Sequence, residues 1–280
     1  MILRKLKRSI RFSARNPPLS RVLMGGSQLG TRADEYLCRL SENERSEIIR
    51  RAAFRSGRSA CFMTSAIIAS MRHDKPLLER LGRIGVIVAS APLHVPVAWD
   101  FGRRQLAEGA HLIDPIKFPH SIPSSVAVSV ASAFECHAFA LADGSGAHAF
   151  FQALLRAISF MTADHCDAVL VCAACDSAYP NNEASASIGL ELVDFVACFL
   201  LSWDLGDKCI DRVFYDCSKE DALRSALTVA DVDVGLLGAS AAYNLLGCSL
   251  QRDWPREAVG LGIEASNRVI GVGFVPWSTT

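Results

Sequence analysis

The stretch from His137 to Ala174, HAFALADGSGAHAFFQALLRAISFMTADHCDAVLVCAA, constrains the fold more than any other part of the chain. It opens with a short apolar run over 137–142 and breaks at a turn of small residues. It then continues over 145–162 with Phe150, Phe151, Leu154, Leu155 and Ile158 at core-facing helical spacing. The segment 168–174 is again apolar and rich in strand-forming residues. This pattern predicts strand, helix, strand. The run 168–174 does not alternate polar with apolar residues, so it is expected to be a buried strand, as parallel strands are.

The flanks extend the pattern. RIGVIVAS over 83–90 reads as another buried strand, followed by a helix through 98–108. IKFPHSIP over 116–123 is punctuated by prolines and reads as a loop. The segment 126–133 suits either a helix or an extended conformation. Later runs at 192–202, 212–216, 232–238 and 268–275 read as strands, with 219–227 helical between two of them. The spacing over 41–71 is helical, interrupted near Gly57. Together these predict an α/β chain with a mixed, largely buried sheet.

Composition narrows the function classes. Half the residues are hydrophobic, as in a globular chain. The longest apolar stretch, around Phe195 to Trp203, falls well short of the roughly 20 residues a membrane helix needs, so no membrane span is expected. Twenty-nine basic and 29 acidic residues give zero formal charge, which argues against general nucleic-acid binding. The basic residues Arg4, Lys5, Lys7, Arg8, Arg11 and Arg15 read as a solvated face or arm. No apolar core follows them as in a secretory signal. Ten cysteines lie scattered, several in apolar runs, which fits a reducing cytoplasm. The Cys172/Cys175 pair has no second pair at zinc spacing, so no metal is expected.

The turn Ala142-Asp143-Gly144-Ser145-Gly146 admits three readings. Gly144, Gly146 and Ala149 match a dinucleotide fingerprint, yet Asp143 would set a carboxylate beside the phosphates. Ser145 could stand on a nucleophile elbow, but His148 follows on the same helix and no histidine occurs beyond His165.

The third reading comes from the wider segment Phe118 to Asp176, which resembles the amino-terminal half of a β-ketoacyl synthase of the thiolase superfamily. The matching features are FPHSIPS, where the family has FPxxxPN; ADGSGAHA, where it has ACASGAHA; and TADHCDAVLVCAACD. RIGVIVAS and DFVACFLLSW are similar to the flanking family strands, so the resemblance runs from Arg83 to Asp204. It implies a thiolase-like layered fold in one domain over 1–280. That domain would comprise a basic, helical lead-in (1–82), a ketosynthase-like core (83–204) and a shortened second half (205–280).

The departures are equally informative. The family's acyl-accepting cysteine falls at Asp143. The EAHGTGT motif would fall near Leu237–Tyr243, which holds no histidine, and nothing resembles KSxxGH. No catalytic residue is therefore expected. Asp143 is expected to cap the following helix through the amides of Ser145 or Gly146. The resemblance implies a chain-length-factor-like subunit without cofactor, paired with an active β-ketoacyl synthase in type II polyketide, aryl polyene or fatty acid synthesis. An acyl carrier protein would be met through the complex. The turn equivalents are Ala142, Asp143, Gly144, Ser145, Gly146 and His148. The candidates for the partner surface or acyl tunnel are His120, Ile122, Phe134, His137, Phe139, Phe150 and Phe151. The competing class is a stand-alone acyltransferase or thioesterase using Cys136 or Cys166, each beside a histidine.

Overall fold

A computed structural model describes residues 9–11, 19–26, 41–43, 82–89, 95–109, 115, 118–144, 149–175, 183, 195–203, 208–218, 229–230, 258–263 and 268–276. Three strands form one end of the described sheet: β3 (Ile84–Ala89), β4 (Phe139–Asp143) and β5 (Ala168–Cys175). β3 lies between the other two and is parallel to both. All six β3 residues are buried, as an apolar run without alternation requires.

The helices form where the sequence permits. α1 (Val95–Glu108) carries Pro96 in its first turn and stops at Gly109, whose φ of 88° closes the C-terminus. A single 3₁₀ turn spans Phe118–Ser121 within the proline-punctuated segment. The segment whose sequence suits helix or strand is helix α2 (Ser124–Ala133). α3 (Ala149–Thr162) follows the turn. Both α2 and α3 end in a left-handed residue, Glu135 at φ 54° and Asp164 at φ 58°. In each cap the next amide donates back across the turn, Cys136 to the Ala131 carbonyl at 2.8 Å and His165 to that of Phe160 at 2.9 Å. These caps reverse the chain into β4 and β5.

Period-two alternation divides the core. Ile87, Ala89, Val169, Val171, Ala173, Phe199 and Leu201 cluster with Phe150, Phe151, Leu154 and Ile158 of α3. The intervening Val86, Val88, Leu170, Cys172 and Leu200 are equally buried, and α2 packs on β3 and β4. At the base of the unit the Arg83 amide donates to Asp167 Oδ2 at 2.6 Å. The Arg83 guanidinium reaches Asp164 at 2.7 Å and Asp167 Oδ1 at 3.1 Å. The Arg83 side chain holds the Asp167 carboxyl below its usual range.

Beyond β5 the sheet continues antiparallel. β6 (Phe195–Ser202) pairs with β5, and β7 (Lys208–Ser218) pairs with β10 (Arg268–Pro276), which pairs with β9 (Ala258–Ile263). The two-residue β8 (Val229–Ala230) lies parallel to β9. The amino-terminal lead-in also supplies two strands, ahead of the segment 41–71 whose spacing is helical. β1 (Ser9–Arg11) pairs with β7, and β2 (Leu19–Gly26) inserts between β6 and β7. LSRVLMGG has no period-two signal, and it is extended because it pairs with strands distant in sequence. The strand expected at 232–238, the helix at 219–227 and most of the helical lead-in fall outside the described residues.

Candidate functional site

The parallel strands β3, β4 and β5 bring their carboxyl ends together, with Ala89 in register with both Asp143 and Ala173. Open α/β sheets place ligands at such ends. Asp143 is the last residue of β4 and its side chain is 1% exposed. A buried carboxylate needs a counter-charge. Arg156, two turns into α3, provides it, with Nη1 3.4 Å from Asp143 Oδ2. Arg156 itself is half-exposed, so its long stem carries charge from solvent down to the buried corner. It is the sole charged residue of AFFQALLRAISFMT, a sequence signal that could have marked it as the partner.

The other turn residues divide. Ala142 is half-buried and Gly144 exposed, and a Cβ added at Gly144 would touch nothing. Ser145, Gly146 and His148 fall outside the described residues, as does the side chain of His120. The expected cap from Ser145 or Gly146 onto Asp143 therefore also lies outside them.

The tunnel candidates do not form one set. Phe150 and Phe151 are fully buried core residues, their rings 5.7 Å apart, and Phe150 lies 5.1 Å from Phe199. Phe139 is half-buried, 4.6 Å from Phe160, and covers Gly85 on the neighbouring strand. Phe134 is half-buried at the end of α2, while His137 and Ile122 are exposed. Phe139 lies on β4, which ends the strand order among the described residues, while Phe134 caps α2 and Ile122 and His137 lie just before α2 and just before β4. Sequence reasoning missed two more exposed apolar residues, Val128 on α2 and Phe118, whose ring lies 5.7 Å from that of Phe101 on α1.

The two alternative nucleophiles are poor ones. Cys136 is 8% exposed and donates only weakly to the Phe134 carbonyl, at 3.8 Å. Burial, with Cys172 nearby, pushes its thiol up to about 12. Cys166 is 1% exposed, and burial followed by the Asp167 charge pushes it up to about 11. Both are therefore protonated at neutral pH. Iodoacetamide should leave both unmodified in the folded chain at pH 7, and the Cys166 rate should rise with pH until about 11. Peptide mass mapping checks this; stoichiometric labelling of either at pH 7 would contradict it. Among the described residues no group of three His, Cys, Asp or Glu side chains is placed to hold a metal ion. No helix among them is long and apolar enough to cross a membrane.

No protein-family model and no curated protein sequence matches the chain. Solved structures do. A β-ketoacyl synthase from Burkholderia phymatum STM815 superposes with a TM-score of 0.60 at 10% identity, over 98% of this chain and 100% of that one. A type II PKS acyl-carrier protein in complex with its ketosynthase gives 0.57 at 11% identity, over 96% and 99%. A ketosynthase in complex with its chain length factor, from Xenorhabdus doucetiae, gives 0.55 at 10% identity, over 83% and 84%. With a mixed sheet whose parallel strands end beside the buried Asp143, and with these neighbours, the chain has the layered α/β fold of the ketosynthases and chain length factors.

Proposed function

We propose that this chain is a catalytically inactive, chain-length-factor-like subunit. It pairs with an active β-ketoacyl synthase in type II polyketide, aryl polyene or fatty acid synthesis, in the cytoplasm. In this reading 1–280 is one ketosynthase-like domain, with a lead-in to 82, a core over 83–204 and a shortened second half. The observation that carries it is Asp143, an acid sealed against Arg156 where the resemblance sets an acyl-accepting cysteine. A carboxylate so held is a weak nucleophile toward a thioester compared with a thiolate. No histidine follows His165 to polarise a malonyl thioester. The partner would supply cysteine and histidines, and the acyl carrier protein would be met through the complex.

The side of β4 away from β3 supports the pairing. Among the described residues no strand pairs with FALAD on that side, and residues 139–142 are only half-buried. Such an edge readily accepts another strand. The raised thiols of Cys136 and Cys166 speak against the stand-alone acyltransferase. The test is co-purification with a tagged ketosynthase from the same gene neighbourhood, followed by product assay. Asp143→Ala should leave the complex assembled and its turnover within about twofold, because Arg156 is half-exposed and can be solvated once its partner is gone. A stable chain that binds and activates no such ketosynthase would overturn the proposal. Lost turnover in an intact Asp143→Ala complex would show instead that the carboxylate takes part in the chemistry.

A further inference from the structure

The geometry points to Cys172 and Cys198 as a redox pair, which joins β5 to β6 through a cross-strand disulfide when the chain meets a peroxide. Ten cysteines lie in the chain. Among the described residues, these are the only two that a strand register sets opposite each other. The β5–β6 ladder is antiparallel and runs without a shift from the Ala168–Ser202 pair to the Cys175–Phe195 pair, so the opposition is fixed from both sides. Directly opposed residues in such a ladder have Cα atoms about 4.5 or 5.5 Å apart, according to whether the pair is hydrogen-bonded. Both spacings fall within the roughly 4.4–6.8 Å that a disulfide spans. Alternation puts Cys172 on one face of the sheet with Leu170, and Cys198 on that same face with Leu200. Neither strand has to turn over for the bond to form.

The chemistry balances with hydrogen peroxide as the oxidant. One sulfur, as its thiolate, attacks the O–O bond and becomes a sulfenic acid, and the displaced oxygen leaves as water. The second sulfur then displaces the hydroxyl of that sulfenic acid, which leaves as a second water. Two thiols lose two electrons and two protons, and one peroxide becomes two waters. Cys172 is reduced and has no exposed surface, so peroxide reaches it when the ladder opens locally. The ladder is irregular at this row, because on its other side Cys198 faces Met24 at a register shift of β2. The bond ties the parallel strands to the antiparallel remainder of the sheet, which meet where β5 pairs with β6. In a reducing compartment such a link is transient and redox-sensing.

The experiment treats the reduced full-length chain with hydrogen peroxide, blocks remaining thiols with N-ethylmaleimide and maps linked peptides by mass without reductant. A peptide joined through Cys172 and Cys198 should dominate the linked species and disappear on adding dithiothreitol. The oxidised chain should melt roughly 5 °C above the reduced one, the scale for closing the chain between these positions. Cys172→Ala and Cys198→Ser should each lose both the linked peptide and the shift, and Cys166→Ala should keep both. Each comparison is between the oxidised and reduced forms of one variant, so that variant's own stability does not enter. Linkage of Cys172 to the nearby Cys136 instead would overturn the pair. So would the absence of any link between Cys172 and Cys198, or a link that leaves the melting temperature where it was.

Discussion

Phe150→Ala should cost about 3–5 kcal/mol of folding stability, the range for emptying a fully packed phenylalanine site. Phe150 has no exposed surface, and its ring meets those of Phe151 and Phe199 at 5.7 and 5.1 Å. It sits in the first turn of α3 while Phe199 lies on β6, so one side chain fastens the helix to the antiparallel part of the sheet. The neighbours are themselves buried in a shared cluster and cannot collapse into the space without breaking other contacts. The melting temperature by circular dichroism should fall by roughly 6 to 20 °C. Phe150→Leu, which keeps most of the volume, should lose less than half as much. A loss below about 1 kcal/mol for the alanine variant would be incompatible with α3 packing on the sheet as described.

Gly85→Ala should also destabilise, against the ordinary tendency. Glycine in a strand interior is usually improved by alanine. Here an added Cβ would overlap the Phe139 ring, because Gly85 and Phe139 stand in register on adjacent parallel strands and the ring lies over the glycine. Phe139 can move only by giving up its 4.6 Å packing on Phe160. The expected cost is about 1–3 kcal/mol, the range for forcing atoms into a packed site. The partner position supplies the control. In a Phe139→Ala background the overlap is gone, so Gly85→Ala should then be neutral or stabilising. The double-mutant cycle by chemical denaturation should show a coupling of about 1 kcal/mol or more. Additive effects would mean that the ring does not cover Gly85.

The parts of the fold visible in the sequence were those whose signal is local. RIGVIVAS, AFFQALLRAISFMT and AVLVCAAC are long, uniformly apolar or strongly periodic, and each forms the expected element. Val126–Ala133 was ambiguous because alternating valine and small residues suit either state. Packing of Val126, Ala127 and Val130 against the sheet made it helical. β2 was invisible for the opposite reason. Nothing in LSRVLMGG demands a strand until β6 and β7 provide partners.

The site followed the same division. That Asp143 ends a strand just before a helix could be read from the order of residues. That Arg156 pairs with it was hinted only by its being the sole charge on α3, because the pairing itself depends on how α3 lies across the strand ends. Phe150 and Phe151 were reasonable tunnel candidates from position alone, yet both are complete core residues. The exposed Val128 went unnoticed because exposure on a charge-free helix is a property of the assembled sheet.

The position of β2 also bears on how the chain is made. Leu19 pairs with Ser202, so the middle of the sheet joins a segment translated earlier to one that emerges far later. Until then β2 has neither of its partner strands, β6 and β7. The unit built from β3, β4, β5, α2 and α3 contains its own contacts and can collapse during synthesis, whereas closure across β2 waits for distant chain. Such non-local pairing is slow and leaves strand edges open to aggregation. Expression yield should therefore depend on protecting the early intermediate, and a chaperone or a co-translated partner at β4 would shield part of the same nascent sheet.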